Sequence, residues 1–247
     1  MPELRHDPVQ KRWVIIATER AKRPFDFTRG NDAPQSGKCP FCDGNEFATP
    51  PEIAAFRDKN APNGPNWKVR VVPNKYPALR IEGDLERAAA GQYDRMNGIG
   101  AHEVIIETPE HDKDISDLPI DHIACILTMY RTRLLDLQRD SRFRYILIFR
   151  NHGAAAGASL EHPHSQIIAT PVTPRTVAME LQSARAHYQL KERCIFCDII
   201  TEELREHSRI VSADDDFVTW CPYASRFPFE MMLAPRRHSH DFAAMDD

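Results

Sequence analysis

Glu161-His162-Pro163-His164-Ser165-Gln166, running on into Ile167-Ile168-Ala169-Thr170-Pro171, is the stretch on which the reading of this chain turns. Its β-branched tail predicts a buried strand. Side chains alternate faces along an extended segment, so His162, His164 and Gln166 are expected on one side. A core strand normally carries Val or Ile at such positions, because an unpaired buried polar group costs a few kcal/mol. Two imidazoles and an amide there point to chemistry.

Working outward, Asn151 to Ser159 reads as a small-residue loop delivering the chain to His162. It follows an apolar strand, Tyr145-Ile146-Leu147-Ile148-Phe149. Upstream, Ser116 is the expected N-cap of a helix running to about Asp140, with apolar residues at Ile120, Ile123, Leu127, Tyr130 and Leu134. Further strands are expected at 12–18, 67–73 and 102–107, a second helix at 176–193, and loops at 28–38, 57–66 and 83–98.

The chain has 247 residues, a net charge of −4 and mixed charges, so no basic stripe marks a nucleic-acid face. No apolar run approaches the ~20 residues of a membrane span, and the N-terminus lacks a signal-peptide core. A cytoplasmic protein is the expectation. Four of the six cysteines form two C-x-x-C pairs, Cys39-Pro-Phe-Cys42 and Cys194-Ile-Phe-Cys197. In a reducing compartment such pairs point to metal or redox chemistry. Cys125 and Cys221 read as packing residues.

The chain also repeats itself. The first half runs from C-x-x-C through Val71–Pro77, the segment containing Asn74, to an apolar strand and Pro109-Glu110-His111. The second runs from C-x-x-C through Trp220–Pro228 to another apolar strand and His238. Two domains follow, at 1–175 and 176–247. The second is expected to lack about 60–90 residues relative to the first. Two thiolates supply half of a tetrahedral zinc site, and the repeat nominates His111 to join Cys39 and Cys42, with His162 as fourth ligand. His238 is nominated to join Cys194 and Cys197 at a possible second zinc. A redox pair would sit at a helix N-terminus in a thioredoxin-like pattern, which the sequence does not display.

If His162 holds a metal, His164 is fixed two residues on. A neutral imidazole is a competent nucleophile at phosphorus. Gln166 could donate to a phosphate oxygen, Gly153 and Gly157 would allow close backbone approach, and Ser159 adds a hydroxyl. Arg20 and Arg23 could supply cations to a phosphate-rich substrate. The bland alternative makes His164 a third ligand or a hydrogen-bonded core histidine.

Taken together, Glu19-Arg20-Ala21-Lys22-Arg23-Pro24, the Cys39–Cys42 pair, Pro109-Glu110-His111, Asn151–Ser159 and His162-Pro163-His164-Ser165-Gln166 resemble the galactose-1-phosphate uridylyltransferase family of the histidine-triad superfamily. The resemblance implies an α+β fold of duplicated histidine-triad-like domains, antiparallel sheets with packed helices, the second copy incomplete, and a homodimer when full length. It implies ping-pong transfer of UMP from UDP-glucose to galactose 1-phosphate through a uridylyl-His164. The implied partners are a nucleotide sugar and a sugar 1-phosphate, and zinc is bound by Cys39, Cys42, His111 and His162. Arg20, Arg23, Asn74, Asn151, Gly157, Ser159 and Gln166 are the implied substrate-binding residues. Ser165 departs from the H-P-H-G-Q of the best-known transferases. An H-x-H-S-Q form with a second C-x-x-C and histidine also resembles the ADP-glucose phosphorylases, which pass an adenylyl group to phosphate. Base and sugar specificity therefore stay open at Ser165. A dinucleoside-polyphosphate phosphorylase is a further reading, and a zinc-stabilised nucleotide-binding module without turnover is the alternative of another class.

Overall fold

The structure, a computed structural model, describes residues 1–8, 12–17, 39–58 and 61–245. It divides into two units, Met1–Pro174 and Arg175–Asp247. The first contains β1 (Glu3–Asp7), β2 (Arg12–Ile16), β3 (Ala54–Arg57), β4 (Trp67–Pro73), β5 (Ala88–Ala90), β6 (Tyr93–Asn97), β7 (Ala101–Ile106), α1 (Ile120–Leu137), β8 (Tyr145–Phe149) and β9 (His164–Thr170). They form two antiparallel sheets, ordered β2-β1-β6-β5 and β3-β4-β7-β9-β8. In the larger sheet β4, β7 and β9 are covered on both faces, which is why they read as apolar runs rather than alternating strands.

Register decides which residues share a face. Val104 of β7 pairs with Gln166 of β9 and with Val72 of β4, while Ile106 pairs with His164. His164, Gln166, His102, Val104 and Val72 therefore lie on one face; Ser165, Ile167, Glu103 and Ile105 lie on the other. Cys39, Phe41 and Trp67 pack with Val72, Val104 and Ile106, so the first C-x-x-C turn seals the front face.

Helix α1 packs against β4 and β8. It buries Ile126, Met129, Arg133, Leu134 and Leu137. Arg133 forks onto Glu103 of β7 at 2.8 and 2.9 Å, a buried bidentate pair that ties the helix to the back of the sheet. Two expectations are corrected here. Ser116 is not the N-cap: it lies in a 3-10 turn, Ile115–Asp117, closed by an Asp114–Asp117 capping box, and Pro119 caps α1. The buried stripe is also turned from the expected one, leaving Ile120 and Leu127 exposed. The periodicity was ambiguous because Arg133, a core position, carries a charge that only Glu103 explains.

Residues 83–98 are not a long loop. Ala88-Ala89-Ala90 and Tyr93–Asn97 pair as a hairpin around Gly91, whose φ of +65° is the left-handed conformation a glycine adopts freely. An exposed alanine run carries no strand signal, which hid it. The Glu161–Pro171 stretch also begins its strand later than expected. β9 starts at His164, because Pro163 has no N–H for the ladder, so His162 stands outside the strand.

A second core joins Leu4, Leu79 and Met96 to Ile168 and Val172, linking the smaller sheet to β9. At its edge a Cβ on Gly100 would lie 2.3 Å from the Ala169 carbonyl oxygen and 2.6 Å from Leu79 Cδ1. Backbone on one side leaves no room to relax. Gly100→Ala is therefore expected to destabilise the unit by about 2–3 kcal/mol, measured by urea unfolding. A loss under about 0.5 kcal/mol would contradict this packing.

The second unit contains α2 (Arg175–Lys191), α3 (Ile195–Glu206), β10 (Ile210–Ala213), β11 (Phe217–Trp220) and β12 (Met232–Pro235). Its strands form an antiparallel sheet, β10-β11-β12, over a small core of Ile200, Val218 and Trp220. C-x-x-C, an antiparallel meander and then a histidine occur in both units, with β3-β4-β7 answering β10-β11-β12. Among the described residues of the second unit no strand answers β8 or β9. Among the described residues no helix is long and apolar enough to cross a membrane.

Candidate active site

His164 opens β9 with its ring buried against Phe41, the centroids 5.3 Å apart and the planes at 68°. Its Nδ1 lies 2.8 Å from the His162 carbonyl oxygen. A carbonyl only accepts, so Nδ1 carries the proton and Nε2 the lone pair. That is the tautomer a nucleophilic imidazole needs.

His164 and Gln166 line a cavity of about 280 Å³ together with Ser159, Asn74 and Lys75. Phe41, Pro50, Val72 and Tyr76 supply apolar wall. A mostly apolar cleft with a few convergent polar groups is the usual form of a small-molecule site. Asn151 lines a second depression, shared with Arg150, His152, Gly153 and His164 itself. The structure thus brings Asn74, Ser159, His164 and Gln166 together in one cavity, and Asn151 together with His164 in a second depression. Gly157 has a φ of +82° and lines neither depression. Arg20 and Arg23 lie outside the described residues.

Behind the cavity sits the first Cys/His cluster. One ligand atom each from Cys39, Cys42, His111 and His162 lies within 4.8 Å of the others. Cys42 Sγ is 3.4 Å from His111 Nδ1 and 3.6 Å from His162 Nδ1. A tetrahedral ion with thiolate and imidazole bonds of 2.0–2.3 Å implies edges of about 3.5 Å, so the donors are spaced as such an ion requires. His162 Nε2 donates to the Thr108 carbonyl at 2.8 Å, which fixes the tautomer and leaves Nδ1 toward the sulfurs. Burial lowers the His162 pKa to about 4, keeping the ring neutral at physiological pH. Burial raises the Cys39 thiol to about 12, a preference that a coordinated cation reverses. These four residues fit a metal ion.

The second cluster is smaller. Cys194, Cys197 and His238 bring their ligand atoms within 4.8 Å, with Cys197 Sγ 3.2 Å from His238 Nδ1. Among the described residues no fourth donor joins them. The pair sits at a helix N-terminus, with Cys194 the N-cap of α3, but helix α2 and not a strand precedes it, so the arrangement is not the βαβ of a thioredoxin-like site. The short spacing concealed a helix that Asp198 and Arg205 favour at its two ends.

Residues that sequence reading passed over complete the site. Ser165 faces away from the cavity: its hydroxyl donates to the Glu107 carboxylate and lies 2.5 Å from Tyr130 Oη. Glu107, fully buried, also accepts from Arg150 Nε at 3.0 Å and Tyr130 Oη at 3.1 Å. Burial, then the neighbouring carboxylate, raises the Tyr130 phenol pKa. Ser165 therefore supports the strand from behind and does not line the cavity. His102, buried on β7, hydrogen-bonds Gln166 on the front face. A polar His102-Glu103 pair opening an apolar strand was the available signal for both faces.

An antiparallel α+β sheet presenting a tautomer-fixed histidine beside a Cys₂His₂ cluster defines a histidine-triad-like domain. The profile of the galactose-1-phosphate uridyl transferase N-terminal domain matches residues 1–174. The chain belongs to the galactose-1-phosphate uridylyltransferase family, a family of nucleotidyltransferases. It is 38% identical to an ADP-glucose phosphorylase of Arabidopsis thaliana over 251 residues, covering 100% of this chain and 69% of that one. Among solved structures it is similar to a uridylyltransferase (TM-score 0.78, 30% identity, 99% of this chain and 69% of that one). It is similar also to the Arabidopsis ADP-glucose phosphorylase crystallised with ADP-glucose (TM-score 0.72, 36% identity, 100% of this chain and 72% of that one).

Proposed function

We propose that this protein transfers a nucleoside monophosphate from a nucleotide sugar through a covalent nucleotidyl-His164, with adenylyl transfer from ADP-glucose to phosphate as its reaction. The observation that carries the chemistry is the Nδ1–H bond from His164 to the His162 carbonyl, which leaves the Nε2 lone pair for phosphorus. Nε2 attacks the α-phosphorus and the bond to the sugar 1-phosphate breaks. Inorganic phosphate then attacks the phosphoramidate and releases ADP and free His164. The two half-reactions share one site, so the kinetics are ping-pong.

Gln166 and Ser159 contact the transferred phosphate, and Asn74 and Lys75 stand beside it in the same cavity. Little covalent chemistry is asked of the protein here beyond the nucleophile, and positioning does most of the work. Cys39, Cys42, His111 and His162 would hold a structural zinc, which when bound locks the 39–42 turn and the backbone leading into His164. Cys194, Cys197 and His238 would hold a second.

Adenylyl is favoured over uridylyl because the 38% identity is to an adenylyl-type enzyme. The uridylyl reading, UMP passing from UDP-glucose to galactose 1-phosphate, is supported by the family match and by the uridylyltransferase structure. Incubation with ADP-glucose or UDP-glucose and mass spectrometry of base-stabilised peptides separates them. An AMP adduct on His164 is expected. A UMP adduct alone would move the assignment to the transferase, and no adduct with either would sink covalent transfer.

A further inference from the structure

We propose that His102 is a positioning residue that sets which end of the Gln166 amide faces the substrate. The chain of hydrogen bonds starts at the backbone. The Ala78 N–H donates to His102 Nδ1 at 2.9 Å. A nitrogen that accepts there holds no proton, so the imidazole carries its proton on Nε2. That Nε2–H lies 2.9 Å from Gln166 Oε1 and donates to it. Asn74 Nδ2 lies 3.1 Å from His102 Nε2 and 3.5 Å from the same oxygen, its own Oδ1 held by the Tyr76 N–H at 2.9 Å; with Nδ1 already accepting from Ala78, Nε2 keeps its proton and the Asn74 N–H goes to the oxygen.

Two donors thus converge on Gln166 Oε1, and each is oriented by a backbone N–H, from Ala78 and Tyr76. A glutamine amide whose oxygen is claimed in this way presents its NH₂ on the remaining side. The remaining side is the cavity that His164 lines. An NH₂ group there donates to a phosphate oxygen; the flipped amide would present a carbonyl and repel it. Without His102 the two amide orientations come closer in energy, because its Nε2–H is the nearer of the two donors on Gln166 Oε1. The backbone between Tyr76 and Ala78 therefore reads through to the polarity of the site.

This rests on Gln166 contacting the transferred phosphate. It predicts that His102→Phe, which keeps a ring and loses the donor, lowers kcat by about 10–100-fold per folded molecule. His102→Gln, whose amide nitrogen reaches the former Nε2 position, should recover most of that loss. In a Gln166→Ala background, His102→Phe should cost little more, since its effect runs through the missing amide. Losses that multiply in the double variant, or a His102→Phe rate unchanged once corrected for folded fraction by circular dichroism, would overturn the proposal. The tautomer is read separately, by nitrogen-15 long-range correlation spectra of histidine-labelled protein, with His102→Phe assigning the signal. Protonation at Nδ1 would overturn the proposal whatever the enzyme does. A protonated Nε2 in a protein that transfers no nucleotide would sink the proposed reaction and leave the hydrogen-bond chain standing.

Discussion

His164→Ala is expected to lower nucleotidyl transfer by more than about 10⁴-fold and to abolish the covalent adduct. The size follows from the role: removing a nucleophile removes the reaction path, whereas removing an orienting group only lengthens it. The fold should survive. His164 opens β9, and its front-face neighbours Phe41, Val104 and Ile106 remain packed in their own cluster. The expected destabilisation is about 1–3 kcal/mol, the ordinary cost of a small gap. Transfer within tenfold of the wild type, with either ADP-glucose or UDP-glucose, would remove His164 from the mechanism.

The second large effect concerns the first Cys/His cluster. Cys39→Ser is expected to release one metal equivalent, and exhaustive chelation both; loss of the first should cost on the order of 5 kcal/mol of stability, with transfer lost in parallel. Cys39 is packed with Phe41, Trp67 and Val72, so the cluster and the front-face core are one body. Cys194→Ser should release metal from the other unit with a smaller effect on transfer, since Cys194 is half-buried and His238 exposed. Metal analysis beside calorimetric melting checks both, and a Cys39→Ser protein with unchanged metal content would refute the assignment.

Acid should act in the same direction. Burial holds His162 at a pKa of about 4, below the ordinary 6.5, so the unfolded chain takes up a proton that the folded chain resists. Stability therefore falls as pH drops from about 6.5 toward 4, by about 1.4 kcal/mol per unit at most.

Much of the site was legible because its chemistry is written in rare residue types at fixed spacing. Cys39, Cys42, His111 and His162 converge although they are far apart in sequence, and both the repeat and the family resemblance nominated His111. The strand at 67–73 was legible because β-branched residues fill covered positions, and that at 145–149 because it is an unbroken apolar run, although it is only half-buried. What escaped was anything whose meaning depends on a partner. Arg133 looks like surface until Glu103 is opposite it, and Ser165 has no assignable role until Glu107 lies behind it. His102 reads as an ordinary polar residue until Ala78 fixes its tautomer. Helix α3 was hidden because C-x-x-C suits both a metal turn and a helix start.

The pleat of β9 has a consequence for how this protein can vary. His164 and Gln166 face the cavity while Ser165 and Ile167 face the helix side, so adjacent residues belong to different environments. Point changes at even and odd positions are therefore nearly independent experiments, one on the ligand and one on the scaffold. A single-residue insertion or deletion between Pro163 and Gln166 is another matter. It would carry the imidazole and amide to the wrong side, or force a bulge to absorb the change. Across descendants of this sequence, length in that segment should be invariant even where the odd positions drift.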